Sequence, residues 1–395
     1  MTPRRKLTLL FVLYLCQGLP GGFLAVVLPV MLREQGADLK TIGLAGLLSL
    51  PWVAKVAWAP LADRWYWPRL GRRRSWLLPA QAGMLAVTVT LIAVRPEQGL
   101  LPVVVLFFVL NVFAATQDVA VDGWAVDLLD DDELGPGNGA QVAGFKVGNL
   151  LGGGVLLAVS GWLGWSGDFV AMSLVIAGAM VLVLWTPEAP VASNDAVERV
   201  ADVVRRLWGA LRGQGARFWA LLFYAKFGES VGGAMLKPML VDAKWSRAQI
   251  GLIDGTFGAV ATIVGAAVGG WLVRGHGWRR ILALAAVGQG LCLCALALYV
   301  RGAITPWGYG TLAAAEAAFG GAVGVSVFAL AMGHRDRGVG ASQFTVAQVV
   351  YMSGAAAAGI VAGTAADEVG YPIVIATGGL MTISMLALLL RRDGP

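Results

Sequence analysis

Apolar runs of about 20 residues recur along the whole chain, separated by polar stretches. They fall near residues 8–32, 42–62, 76–94, 99–122, 138–160, 166–185, 217–240, 249–272, 280–300, 307–332, 341–363 and 371–390. Each is long enough to cross the ~30 Å hydrocarbon core of a bilayer as a helix. The pattern predicts an all-α membrane protein with twelve transmembrane helices. The first run follows "MTPRRK". It is longer than a signal peptide and lacks a small-x-small cleavage site, so it reads as a retained helix.

The chain also matches itself. "TIGL" at 41–44 returns as "QIGL" at 249–252; Asp63, Arg64 and Gly71–Arg74 are answered by Arg274, Arg279 and Arg280; "GPGN" at 135–138 is answered by "GVGA" at 338–341. The shifts lie between 203 and 210 residues. A parallel repeat of that length predicts two pseudo-symmetric six-helix bundles, over residues 1–186 and 216–395. The polar segment 187–215 links them. Within it Val197, Val200, Val204, Leu207, Trp208 and Leu211 recur at three- and four-residue spacing, with Arg199, Arg205, Arg206 and Arg212 elsewhere around the turn. This predicts a short amphipathic helix on the membrane surface; the alternative is a tether with chance periodicity.

Composition supports the bilayer reading: 57% of the 395 residues are hydrophobic and 14% charged, with a mean hydropathy of +0.71. The net charge of +6 would suit a nucleic-acid partner, but its placement excludes one. With the N-terminus in the cytoplasm, Arg4, Arg5, Lys6, Arg64, Arg69, Arg72–Arg74, Arg199, Arg205, Arg206, Arg212, Arg217, Arg274, Arg279, Arg280, Arg335, Arg337, Arg391 and Arg392 share one side. Only Arg33, Lys40, Arg95, Lys244, Arg247 and Arg301 lie on the other. This positive-inside bias predicts a multi-pass protein of the bacterial inner membrane with both termini cytoplasmic. Cys16, Cys292 and Cys294 fall inside apolar runs and His276 and His334 in loops, so neither a disulfide framework nor a metal site is expected. No cofactor is expected either. Phosphate-loop, HExxH and Gly-x-Ser-x-Gly runs are missing, which argues against an enzyme.

Asp63 and Arg64 with Gly71, Arg72 and Arg73 resemble the major facilitator signature Gly-x-x-x-Asp-Arg-x-Gly-Arg-Arg, with Ala59 in place of the first glycine and about five residues inserted before Gly71. "GLPGGFLAVVLPVMLREQG", "TIGLAGLLSLPWVAKVAWAPLADRW" and "ATQDVAVDGWAVDLLDDDELGPGNGAQVAGFKVG" are similar to the group holding the AmpG muropeptide permeases, the single-component siderophore permeases and the acetyl-CoA transporters. The resemblance covers most of the first half. It implies the major facilitator fold and a secondary transporter working by alternating access, with acetyl-CoA transport or a transport-dead receptor or scaffold as alternatives. It also implies a gating latch at Asp63, Arg64, Arg72 and Arg73, with Arg274 as the second-half counterpart.

The remaining candidates are charged or polar groups inside apolar segments. Each charged group costs ~2.5–3.5 kcal/mol to insert and needs a partner or a wet cavity. Lys55, Lys146 and Lys226 predict a cavity favouring an anionic solute, bound together with Gln17, Gln117 and Asp118. Lys226 and Glu229 stand three apart on one helical face and can instead neutralise each other. Asp118 and Asp122 share a face, whereas Asp127 is nine residues beyond Asp118 and points away. Asp122 is therefore read as the latch partner of Arg64 or the Arg72–Arg74 cluster, and Asp127 with Asp130–Glu133 as solvated loop charge. Asp254 is a further intramembrane carboxylate. Glu316, Glu229 and Asp118 are the candidates for proton coupling; Glu316 has no cation within a turn of its own helix. The expected partners are thus a small anionic solute, protons and lipid, with the protein acting as a monomer.

Overall fold

The computed structural model describes residues 1–94, 99–129, 133–188, 205, 208, 209, 211–302, 304–333 and 340–390, without the side chains of residues 56, 60, 63, 64, 100, 126, 134–136, 138, 139, 332, 333, 340–345 and 390. All regular structure among them is helical. Apart from helical residues 205, 208, 209 and 211–213, the described helical segments group into twelve rods: α1 (3–34), α2 (39–64), α3 (Arg74–Ala93), α4 (Leu100–Leu128), α5 (134–163), α6 (165–185), α7 (215–242), α8 (247–276), α9 (Trp278–Tyr299), α10 (Pro306–Gly333), α11 (Gly340–Val369) and α12 (Tyr371–Leu390). Among the described residues, nine segments are long and apolar enough to cross a membrane by length and composition. One of these runs through both α5 and α6, which part at Gly164, where φ is 67° and a side chain would clash with the backbone. The other two rods, α2 and α7, fall short because they are broken and charged. α2 passes through 3₁₀ turns at Ala45–Ser49 and Lys55–Ala57, and α7 breaks between Gly233 and Leu236. The uniform helix expected over 42–62 is therefore segmented, with Pro51 and Pro60 interrupting its ladder.

By packing, the chain divides into two compact units: Met1–Leu28 with Leu48–Ala196, and Pro29–Leu47 with Val197–Pro395. The first is built on α1 against α5 and α3 against α4 and α6. Phe23, Phe107, Phe169 and Trp165 fill its interior, the Phe23 and Phe107 rings stacking at 4.8 Å. The second packs α7 on α11 and α12, α8 on α10, and α9 on α10 and α12, around Leu221, Leu282, Val323, Val327 and Met385.

The internal repeat reappears in these contacts. Gly148 lets α5 lie directly on the Leu15 carbonyl of α1, and Gly354 lets α11 lie on the Phe223 carbonyl of α7. A Cβ at either position would collide with backbone, so the seams require glycine. Arg74, at the start of α3, donates to the Leu184 carbonyl at the end of α6 at 3.2 Å. Arg279, at the start of α9, donates to the Leu389 carbonyl at the end of α12 at 3.1 Å. In both units an arginine thus meets the electronegative end of a neighbouring helix.

The crossings between units coincide with helical irregularities. α1 leaves the first unit after a π-helical turn at Phe23–Val27 followed by Pro29, and α2 returns within the 3₁₀ turn Ala45–Ser49.

Candidate functional site

In the first unit the charged groups predicted from sequence converge on α4. Lys55 of α2 pairs with Asp118, and Gln17 of α1 donates to the other carboxylate oxygen. Asp118 is buried, as are Gln17 and Gln117. Gln117 gives its amide N–H to the Leu13 carbonyl at 3.3 Å. The Lys55 ammonium also lies 5.6 Å from the Trp52 ring, and that indole donates to Asn111 at 2.8 Å. An ion pair held by two further polar groups satisfies the cost of placing a lysine and an aspartate among apolar helices.

Asp122, one turn further along α4, does not meet the arginine cluster among the described residues. It is exposed and accepts a hydrogen bond from Tyr14. Arg73 pairs instead with Asp127 at 2.6 Å. The assignment of Asp127 to solvent thus needs correction: α4 stays helical to Leu128, so Asp127 belongs to its last turn and reaches the base of α3. Glu133 is likewise no free loop charge, since Lys6 of α1 pairs with it at 2.6 Å. The side chains of Asp63 and Arg64, and residues Asp130–Asp132, lie outside the described residues. Arg72 is half-buried, while Lys146 and Arg274 are exposed on α5 and α8. Glu188, unread in the sequence, accepts from the backbone N–H groups of Arg73 and Arg74 at 2.7 and 3.0 Å and so caps α3. Most of the predicted amphipathic helix in 187–215 falls outside the described residues.

The second unit carries three carboxylates and two lysines in its interior. Lys226 pairs with Glu229 at 2.5 Å along α7 and lies 5.7 Å from the Tyr351 ring. Lys237 pairs with Asp254 at 2.9 Å, and Tyr309 donates to the other oxygen of Asp254 at 2.5 Å. Glu316 on α10 receives the neutral amide of Gln289 at 2.8 Å. It stands within electrostatic reach of Glu229, Lys226 and Asp254, but each lysine has a carboxylate of its own. In the first unit Lys55 is taken by Asp118 and Asp122 has a phenol. Asp122 and Glu316 are thus each a carboxylate whose described hydrogen-bond partner is neutral. Of the three lysines that suggested an anion-selective cavity, Lys55 and Lys226 are paired with carboxylates, and Lys146 lies exposed on α5.

The family profile of the Major Facilitator Superfamily matches residues 10–358. The chain belongs to the Major Facilitator Superfamily. Its relatives in that superfamily include the anhydromuropeptide permease of Escherichia coli (strain K12), 30% identical over 288 residues, which cover 71% of this chain and 58% of the permease. The chain thus matches less than two thirds of that permease's length. "Putative transporter AmpG 4" of Rickettsia felis is 24% identical over 71% of each chain. Among solved structures the fold resembles a D-xylose-proton symporter (TM-score 0.76, 13% identity, 98% of this chain and 96% of that one). It also resembles the nucleoside transporter NupG (TM-score 0.73, 13% identity, 99% and 100%). At such identities the likeness is one of superfamily fold.

Tyr14, Gln289, Lys237 and Tyr309 are the site residues that sequence reading missed. Two of them carried a usable signal: Tyr14 stands three residues before Gln17 on the same helical face, and Lys237 is a lysine inside the apolar run 217–240.

Proposed function

We propose that the protein is a proton-coupled secondary transporter of the bacterial inner membrane, moving a polar muropeptide-like solute by alternating access. The observation that carries the coupling is Glu316. It is a carboxylate inside an apolar bundle, hydrogen-bonded to the neutral amide of Gln289, while the lysine within its reach, Lys226, is committed to Glu229. A group so placed gains most from binding a proton, because its charged form has no cation of its own to offset desolvation. Asp122 with Tyr14 is the corresponding group of the first unit. Asp118, listed above as a coupling candidate, is better suited to holding Lys55 in place.

The solute class rests on the permease relatives, of which the E. coli protein is named for anhydromuropeptide. The paired state of Lys55 and Lys226 takes away two of the three lysines that argued for a net anion and supports a solute recognised by hydrogen bonds. Siderophores and coenzyme A thioesters are the competing solutes. The arginine bias of the loops supports cytoplasmic termini.

Purified protein in liposomes tests the reading. An inward proton gradient should drive accumulation of labelled anhydromuropeptide, and a protonophore should collapse it. Accumulation that ignores the protonophore would contradict coupling; no movement of this solute, with uptake of a ferric siderophore, would contradict the solute class.

A further inference from the structure

The Lys237–Asp254–Tyr309 cluster is not used by the function argued so far, yet three separate elements are shaped to form it. Asp254 is set in an eight-residue π-helical stretch, Ile250–Phe257, near the start of α8. Such stretches re-aim side chains and are frequent at functional sites. Lys237 lies just past the break in α7, and Tyr309 in the first turn of α10. Tyr309 is fully buried, with its ring against Trp245 at a centroid distance of 5.4 Å. The Asp254 side chain is 8% exposed and that of Lys237 20%, so the pair is sheltered without being sealed.

Its depth gives the cluster a meaning. All three residues lie within two turns of the 243–246 end of the bundle, the end that the proposed topology places outside. Tyr309 and Glu316 are seven residues apart on α10, hence on one face, with Glu316 about 10.5 Å further in. Glu316 feels the charge of Asp254, and Tyr309 that of Glu316. Among the described residues, Lys237 from α7 and Tyr309 and Glu316 from α10 are charged or titratable groups in reach of Asp254.

Resting on the proton-coupled reading above, the geometry points to Asp254 as the outer loading carboxylate through which protons reach Glu316. A proton from the outer solvent adds to an Asp254 oxygen and the ion pair to Lys237 opens. The Asp254 acid then gives up that proton, which passes by way of the Tyr309 hydroxyl: the phenol oxygen accepts it as its own proton leaves inward. The two turns to Glu316 require at least one bridging water. The proton ends on a Glu316 oxygen, and Asp254 returns to its carboxylate and to Lys237. Between turnovers Lys237 and Tyr309 hold the Asp254 carboxylate in place from two helices.

Asp254→Asn in liposomes tests this, with solute-driven proton entry followed by an entrapped pH dye and solute exchange followed without a gradient. Proton entry should slow about tenfold or more while exchange persists. Azide, a small weak acid able to carry protons to the vacated position, should restore proton entry; Asp254→Glu should retain it. A structural role would not be rescued by azide. Unchanged proton entry, or loss of both activities without rescue, overturns the proposal. Infrared difference spectra on acidifying the reconstituted protein give a readout without solute. A carboxylic-acid band absent from Asp254→Asn supports the assignment, and identical spectra overturn it. If that band is found but the wild type shows no proton-driven uptake, the transport reading fails and the proton site stands. If Glu316→Gln uncouples while Asp254→Asn behaves as wild type, only the loading role fails.

Discussion

At the scale of single residues, the interior charges are arranged by subtraction: lysines take one carboxylate each, and what is left is available for chemistry. Lys55 and Asp118 show the consequence for stability. Removing the ammonium in Lys55→Met strands a buried aspartate and should destabilise the protein by about 3–5 kcal/mol, whereas Lys55→Met with Asp118→Asn should recover much of the loss. Thermal unfolding in detergent measures both; equal melting of the single and double variants would show that the pair is not coupled. This pair was legible in the sequence, because a lysine in an apolar segment must find an acid and α4 supplies the Asp118–Asp122 face. The Gln289–Glu316 and Tyr309–Asp254 contacts were not. They join residues 27 and 55 positions apart on different helices, and a glutamine or tyrosine in an apolar run carries no charge to demand a particular partner. Asp127 is a related case: the sequence reading ended α4 too early and placed it in a loop, whereas it lies in the last turn of α4 and reaches Arg73, while Asp122 meets Tyr14.

At the scale of elements, the hairpin formed by the end of α1 and the start of α2 is fastened within the second unit. Arg33 makes a two-point contact with Asp242 at 2.7 and 2.6 Å, and Tyr371 donates to the same carboxylate at 2.6 Å. Arg247 holds Glu34 at 2.6 Å. Asp367, near the end of α11, accepts from the backbone N–H groups of Leu39 and Lys40 at 3.3 and 3.1 Å, while Asp38 caps the same helix through Thr41. Asp242→Asn should therefore free the hairpin, and hydrogen exchange of amides 39–44 should quicken; unchanged exchange would mean that packing alone holds it. Burial raises the proton affinity of Asp242, but hydrogen bonds from Arg33 and Tyr371 outweigh it and hold the carboxyl below its ordinary range. A depressed pKa gives stabilisation that is complete above the unfolded value of about 3.9 and lost as pH falls through the lower folded one. Exchange of the hairpin should thus be flat in pH between 5 and 8 once the intrinsic rate is divided out; a step in that range would contradict the assignment. The hairpin's affiliation could not be read from the apolar runs, which stop near 32 and resume near 42 without indicating the unit in which this segment packs. The seams are legible in part: small-residue runs such as "GNLLGGG" at 148–154 and "GAAAAG" at 354–359 are of the kind that lets helices approach closely, and Gly148 and Gly354 do so. Gly148→Leu should accordingly disrupt the α1–α5 seam and lower the yield of folded protein, judged by size-exclusion chromatography against Gly178→Leu, a position with open space around it.

At the scale of the whole molecule, the parallel repeat was plain in the sequence because it is written in motifs of fixed local geometry, and the paired contacts Arg74–Leu184 and Arg279–Leu389 carry it into three dimensions. The interior chemistry departs from the repeat: the first unit holds Lys55 with Asp118 and Asp122, the second Lys226 and Lys237 with three acids. Such asymmetry is what a coupled transporter requires if solute and proton are to be handled by different residues. The central claim is that Glu316 is the carboxylate whose protonation couples transport, and Glu316→Gln tests it most directly. The amide fixes the side chain in its neutral state while keeping its size. In liposomes the account predicts that this variant loses accumulation of anhydromuropeptide under an inward proton gradient yet exchanges internal for external solute at a rate near that of the wild type. Accumulation at the wild-type level would contradict it.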